Sequence, residues 1–303
     1  MSFLTYSILH ESLTIEVYLF KGAIFLSVKS KRSFFWSGLF IVAFFTLYTI
    51  FRTTNVQSSE KPLTTEEKYP TVFVHGYKGT YNSFRTMLDR FENRHGWGQK
   101  TLEISVASSG SVTYKGALPK NPTSPPLVQV IFEDNRASLD KQAIWLENAM
   151  KLLHHQYDVP SVNIVAHSMG GLAATKYLEN TSESSFVPET HKFITIATPF
   201  QGVTKESYDQ INTGAAVIDL KPESHALEEL YINRHLIPSE MKVLSIAGSG
   251  DDVVNVLSAT GSQSLFEKNP FQTKVVYDPS ISHSGLHETI KVDRLVGDFL
   301  WSK

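Results

Sequence analysis

The stretch VNIVAHSMGGLAATKYL, residues 162–178, puts Ser168 between an apolar run and a small-residue helical pattern. A serine hydroxyl is a weak nucleophile until a base takes its proton and the chain holds it clear of its neighbours. A sharp strand-to-helix turn exposes it in that way. Such a turn is crowded, so the residues two before and two after the serine must be small. Here they are Ala166 and Gly170, with Gly171 following. Met169 opens the helix, so its amide N–H points into the same space with the helix dipole behind it. A nucleophile and one oxyanion donor would lie side by side. An ordinary helix N-cap would account for Ser168 alone. It would not account for small residues in register on both sides, or for His167.

A nucleophilic serine needs a base, and the base needs an orienting acid. Candidates follow in chain order. GSGDDVVNVLSA carries Asp251 and Asp252; DPSISHSGLHE carries His283 and His287. Each segment directly follows an apolar run. The loop VFVHGYKGTYNSF follows another such run, and its His75-Gly76 pair lets the chain turn closely. The N–H of Tyr77 is then the candidate second oxyanion donor. The chemistry is acyl transfer through a covalent intermediate, and it requires no metal or cofactor. His154 and His155 sit late in a helical pattern without metal-ligand spacing.

These side chains need a frame. Apolar runs that read as buried strands recur at Thr71–His75, Val162–Ala166, Lys192–Ala197, Lys242–Ala247 and Thr273–Tyr277. Three-four spacing of Leu139, Ala143, Leu146, Met150, Leu153 and Tyr157 predicts an amphipathic helix over Ser138–Tyr157, and Glu288–Trp301 is another. Alternating strands and helices mean an α/β fold: a mostly parallel sheet with helices on both faces. Ligands then bind beyond the carboxyl ends of the strands, where the candidate residues fall. Two segments break the alternation. Residues 107–132 are rich in Gly, Pro and Ser and read as a hairpin-like excursion; residues 198–241, with a helix near Glu223–Asn233, are long enough to overhang a site.

In this order and spacing, HGYKGTYNSF, AHSMGG, GDDVVNVLSA and HSGLHE resemble an α/β-hydrolase, most closely the lipase-like branch of cell-surface hydrolases of Gram-positive bacteria. The resemblance covers Tyr69 to Trp301 and is specific for serine hydrolase chemistry, not for substrate. It implies a core that starts at the strand carrying the oxyanion loop. It implies Ser168 as nucleophile and Met169 and Tyr77 as oxyanion amides. It implies Asp251 as acid, with Asp252 as substitute because glycine and proline of the usual run are replaced by Asp252 and Asn255. It implies His283 as base, with Glu288 five residues on and His287 as the alternative. The expected activity is an esterase or lipase-like hydrolase acting on a small-molecule ester. A binding protein on the same fold, or an acyltransferase or peptidase, would use the same frame.

The chain has 303 residues, 42% hydrophobic and 19% charged, with a net charge of -2 and no cysteine. Nothing in that balance argues for nucleic acid, and disulfides, thiol catalysis and cysteine metal sites are excluded. Phe34–Phe51, FFWSGLFIVAFFTLYTIF, is 18 residues without a charge, behind Lys29, Lys31 and Arg32. It reads as a transmembrane anchor with the body outside the cytoplasm. A cleaved signal with a secreted product is the alternative, although no A-x-A-like site follows. The expected organisation is a leader over 1–33, an anchor over 34–51, a polar linker over 52–68 and the hydrolase domain over 69–303. Residues 1–28 mix apolar and polar positions without a clear period, and the sequence assigns them no role.

Overall fold

The computed structural model describes residues 5–10, 13–20, 23–29, 63–205 and 207–302. The chain divides into two compact units, Met1–Lys61 and Pro62–Lys303. In the first, β1 (Thr5–His10), β2 (Leu13–Phe20) and β3 (Ala23–Lys29) form an antiparallel meander, with Ile8 opposite Ile15 and Val17 opposite Leu26. The leader therefore holds strands that its mixed pattern does not announce. The expected anchor, residues 34–51, lies outside the described residues. Among those described, no helix is long and apolar enough to cross a membrane.

The second unit is an eight-stranded sheet. Its strands are β4 (Thr71–Val74), β5 (Gln99–Val106), β6 (Val112–Gly116), β7 (Pro126–Phe132), β8 (Ser161–His167), β9 (Glu189–Ile196), β10 (Lys242–Gly248) and β11 (Phe271–Val276), in the spatial order β11-β10-β9-β8-β4-β7-β5-β6. All neighbours pair in parallel except β5 and β6, which form an antiparallel hairpin. The pleat sends successive side chains to opposite faces, and along the central strands both faces are dry. Along β4, Val72 and Val74 join one core with Leu146, Met150, Leu172 and Tyr177, while Phe73 joins the other with Phe84, Val165, Val292 and Val296. Burying each such side chain is worth about 1.5–3 kcal/mol. One face is covered by α2 (Leu139–Tyr157) and α3 (Met169–Asn180), the other by α1 (Asn82–Asp89) and α8 (Ile290–Trp301). Helix α2 starts on the Ser138 hydroxyl, which accepts from the Lys141 amide, and stops at Asp158 in the left-handed region at φ 52°.

The structure corrects one expectation. Residues 107–132 do contain a hairpin strand, β6, but they also contain β7, which pairs with both β4 and β5 near the middle of the sheet. The Pro-rich approach and the polar Gln129 inside PLVQVIF disguise a strand buried at every position but Ile131. Gln129 is tolerated there because its side-chain amide donates to the Tyr81 carbonyl at 2.7 Å. Residues 198–241 do not continue the sheet. They carry the short helices α4 (Tyr208–Ile211) and α5 (Ala215–Asp219), then α6 (His225–Asn233).

Candidate active site

Between β8 and α3 the chain turns within one residue. Ser168 takes φ 53° and ψ −131°, a region that a non-glycine residue occupies at a cost of about 1–3 kcal/mol. Its amide donates to the Ile196 carbonyl at 2.8 Å, which pins the turn to β9. A Cβ at Gly170 would stand 2.4 Å from the His75 carbonyl oxygen and 2.6 Å from that of Val74, so only glycine lets α3 start so close to β4. The turn pushes the Ser168 hydroxyl out beyond the sheet's carboxyl end.

Two later loops converge on that hydroxyl. Nε2 of His283 lies 2.9 Å from Ser168 Oγ, and Nδ1 of the same ring lies 2.8 Å from Asp251 Oδ2. The carboxylate can only accept, so Nδ1 carries a proton and Nε2 is free to accept from the serine. Asp251 Oδ1 takes the amides of Val253 and Val254, each at 2.8 Å, in the turn that leads to α7 (Val256–Thr260). One carboxylate oxygen is thus fixed by backbone and the other by the imidazole, and the side chain is only 1% exposed.

The alternates of the sequence reading fall beside this line. Asp252 is 60% exposed; its Oδ1 accepts the His283 backbone amide at 3.3 Å, and Lys205 Nζ lies 3.4 Å from its Oδ2. That amide holds its carboxyl below the ordinary value. Asp252 therefore anchors the main chain of His283 and leaves the ring to Asp251. His287 is buried, and its ring faces His167 at a centroid distance of 4.6 Å, not Ser168. Burial lowers its pKa, against the pull of Glu288, whose Oε1 is 3.2 Å from Nδ1.

The loop after β4 closes the other side. A Cβ at Gly76 would stand 2.7 Å from Ser168 Cβ and 3.3 Å from Met169 N, so this backbone lies directly against the elbow. The Gly76 carbonyl accepts from the Gly79 amide at 2.9 Å and from His75 Nδ1 at 2.9 Å. A trans peptide is flat, so the Tyr77 N–H points the opposite way from that carbonyl. The Met169 amide heads α3, where the first N–H groups have no partner within the helix.

Two histidines that the sequence reading did not place in roles hold these loops. Burial drops the His75 pKa to about 4, and Nε2 of its neutral ring accepts the Phe132 amide of β7 at 3.0 Å. His167 is likewise buried, which holds its pKa well below the ordinary value, and its Nε2 lies 3.2 Å from the His283 carbonyl. Their partners are 57 and 116 residues away in the chain, beyond any local spacing rule.

Against the loop after β4 lies a cap, residues 207–219. Tyr77 Oη donates to the Thr213 carbonyl at 2.7 Å and accepts the Thr213 amide at 3.0 Å. Lys78 Nζ donates to Asn212 Oδ1, the Ala216 amide to the Arg136 carbonyl at 3.2 Å, and the Leu139 amide to Asp219 Oδ2 at 2.7 Å. Beside it is a cleft of about 390 Å³ lined by Val203, Lys205, Tyr208, Val217, Leu220 and Pro222 among others. Among the described residues, no group of three or more His, Asp or Glu is arranged to hold a metal.

Residues 58–303 match a family model described as an alpha/beta hydrolase of unknown function (DUF915). The lin2722 product of Listeria innocua is similar in structure, with a TM-score of 0.67 and 24% identity over 78% of this chain and 95% of that one. A protein of Lactobacillus plantarum WCFS1, provisionally named a cell surface hydrolase, gives 0.60 and 23% over 77% and 90%. Lipase BlEst2 of Bacillus licheniformis in mature form gives 0.54 and 15% over 80% and 94%. At these identities the likeness is one of fold. No curated protein matches the chain.

Proposed function

The chain belongs to the α/β-hydrolase family DUF915, and from that premise we propose that it is a serine hydrolase of carboxylic esters working through an acyl-enzyme. The observation that carries this reading is the unbroken line from Asp251 through His283 to Ser168, at 2.8 and 2.9 Å, in front of an elbow whose only strained residue is the serine itself. As Ser168 Oγ attacks the ester carbonyl, His283 Nε2 takes its proton, and Asp251 holds the resulting imidazolium. The oxyanion is met by the amides of Tyr77 and Met169; one such donor typically contributes about a hundredfold or more in rate. The imidazolium then returns the proton to the leaving alkoxide. Water, deprotonated by the same ring, releases the acyl group and restores the serine.

The test is covalent. The full chain is incubated with a fluorophosphonate and the labelled peptide is read by mass spectrometry. We expect the label on Ser168, none in Ser168→Ala, and hydrolysis of p-nitrophenyl esters by the wild type alone. A folded wild-type protein that takes no label would end this reading. We also propose that residues 34–51 anchor the protein with the hydrolase domain outside the cytoplasm; the charge-free span behind Lys29, Lys31 and Arg32 supports it. Recovery of the chain in the soluble fraction after cell lysis would count against the anchor.

A further inference from the structure

Tyr77 meets the candidate site with its main chain and the cap with its side chain. Its amide is the proposed oxyanion donor, and its phenol grips both the N–H and the C=O of Thr213. A hydroxyl that donates to and accepts from one residue fixes direction as well as distance. The neighbouring tie from Lys78 to Asn212 runs the same way, and the Tyr208 ring packs on the Tyr77 ring at 6.1 Å. From its far side the cap is fastened by Arg136 and Leu139, residues of the segment that follows β7. Position is thus passed from that segment, through the cap, to the tyrosine that follows Gly76, whose backbone lies against Ser168. Oxyanion donors act only when held at about 2.7–3.1 Å, and sites work when held to within roughly 0.5 Å.

We infer that the Tyr77 phenol is a positioning group for the reaction: its bond to Thr213 makes the seat of the oxyanion amide depend on the cap, though the phenol touches no reacting atom. The inference rests on the serine hydrolase reading. It differs from a role in substrate capture, which would act on KM, and from a purely structural role, which would act on the fraction of folded enzyme.

The experiment compares wild type, Tyr77→Phe and Thr213→Pro, all as full chain. Phenylalanine keeps the amide and the ring and removes the tie. Proline removes the N–H that the phenol accepts, and Asn212 before it is already extended at φ −119° and ψ 155°, as a residue before proline must be. Active sites are titrated with the fluorophosphonate, and kcat is expressed per titrated site on p-nitrophenyl butyrate. We expect each variant to lose roughly tenfold or more in kcat with KM within about twofold. The inhibition constant of an alkyl boronic acid, which places an oxygen in the same hole, should rise in parallel. The double variant should lose no more than Tyr77→Phe alone, because phenylalanine already removes both bonds of the tie and proline removes only the one from the Thr213 amide. A Tyr77→Phe enzyme with kcat per site within twofold of wild type, or with its loss wholly in KM, overturns the inference and leaves the hydrolase reading standing. A wild type that neither labels nor turns over would remove both.

Discussion

Replacing Gly76 by alanine tests the oxyanion loop with a single methyl group. The added carbon would stand 2.7 Å from Ser168 Cβ and 2.9 Å from the His167 carbonyl oxygen, against an ordinary contact of about 3.5–4.0 Å. Gly76 is not among the positive-φ residues, so the cost is one of space alone. Ser168 cannot give way, because its amide is bonded to Ile196 and its own backbone is already strained. The loop must retreat, by roughly 1 Å on these distances. That carries the Tyr77 amide from hydrogen-bond range to about 4 Å from the oxyanion, where its contribution is largely lost. Removing one donor of this kind typically costs about 10²–10³ in kcat. Overpacking costs a further 1–3 kcal/mol or so in stability. Steady-state kinetics on p-nitrophenyl butyrate, beside thermal melting, would read both. A folded Gly76→Ala enzyme that keeps kcat within fivefold of wild type would show that the loop does not supply the donor.

The acid and base make a second prediction: Asp251→Asn should drop kcat by about 10⁴, since the amide misdirects the His283 tautomer, while Asp252→Asn stays within about tenfold. The same ranking is expected of His283→Ala over His287→Ala, and the reverse in either pair would move that role along its loop. Glu179, near the end of α3, has two buried carboxyl oxygens without hydrogen-bond partners, and burial raises its pKa from 4.5 to about 8. A raised carboxyl stabilises the fold fully below its unfolded value, and this contribution is lost as pH rises through the folded one, by at most about 1.4 kcal/mol per pH unit. Glu179→Gln should therefore flatten the fall in stability between pH 5.5 and 7.5 in urea titrations; an unchanged slope would mean the carboxyl is already ionised. Ser168→Ala should abolish turnover and labelling while its melting temperature stays within a few degrees of wild type; retained turnover would remove the serine from the reaction.

The parts of this molecule legible in the sequence are those fixed by local sterics or by long apolar runs. Ser168 could be found because an elbow tolerates only small residues at 166 and 170. Strands β4, β8, β9 and β10 could be found because burial on both faces leaves long apolar runs in them, and the edge strand β11 because Val275 and Val276 precede a turn. Strand β5 was harder, since QKTLEISV is buried on alternate residues only, and β7 was hidden behind prolines and Gln129. Neighbours in sequence were the hardest to separate. Asp251 and Asp252 differ in which way the turn sends each side chain, and the amides of Val253 and Val254 decide that. His75 read as part of a tight turn because the Phe132 amide that gives its ring a purpose is contributed by a strand the sequence disguises.

The place of β4 in the sheet has a consequence for how the chain is made. It is the first strand of its unit to leave the ribosome, yet its two neighbours are β7 and β8. The second of these is complete only on the order of ninety residues later, roughly 5–20 s at usual rates of synthesis. For that interval TVFV is an uncovered apolar edge, the kind of segment that pairs with the wrong partner. The loop that it carries gains shape only when Phe132 arrives to take up His75. Maturation would then proceed from the middle of the sheet outward. A nascent chain halted before Phe132 should depend on chaperones that the finished protein no longer needs.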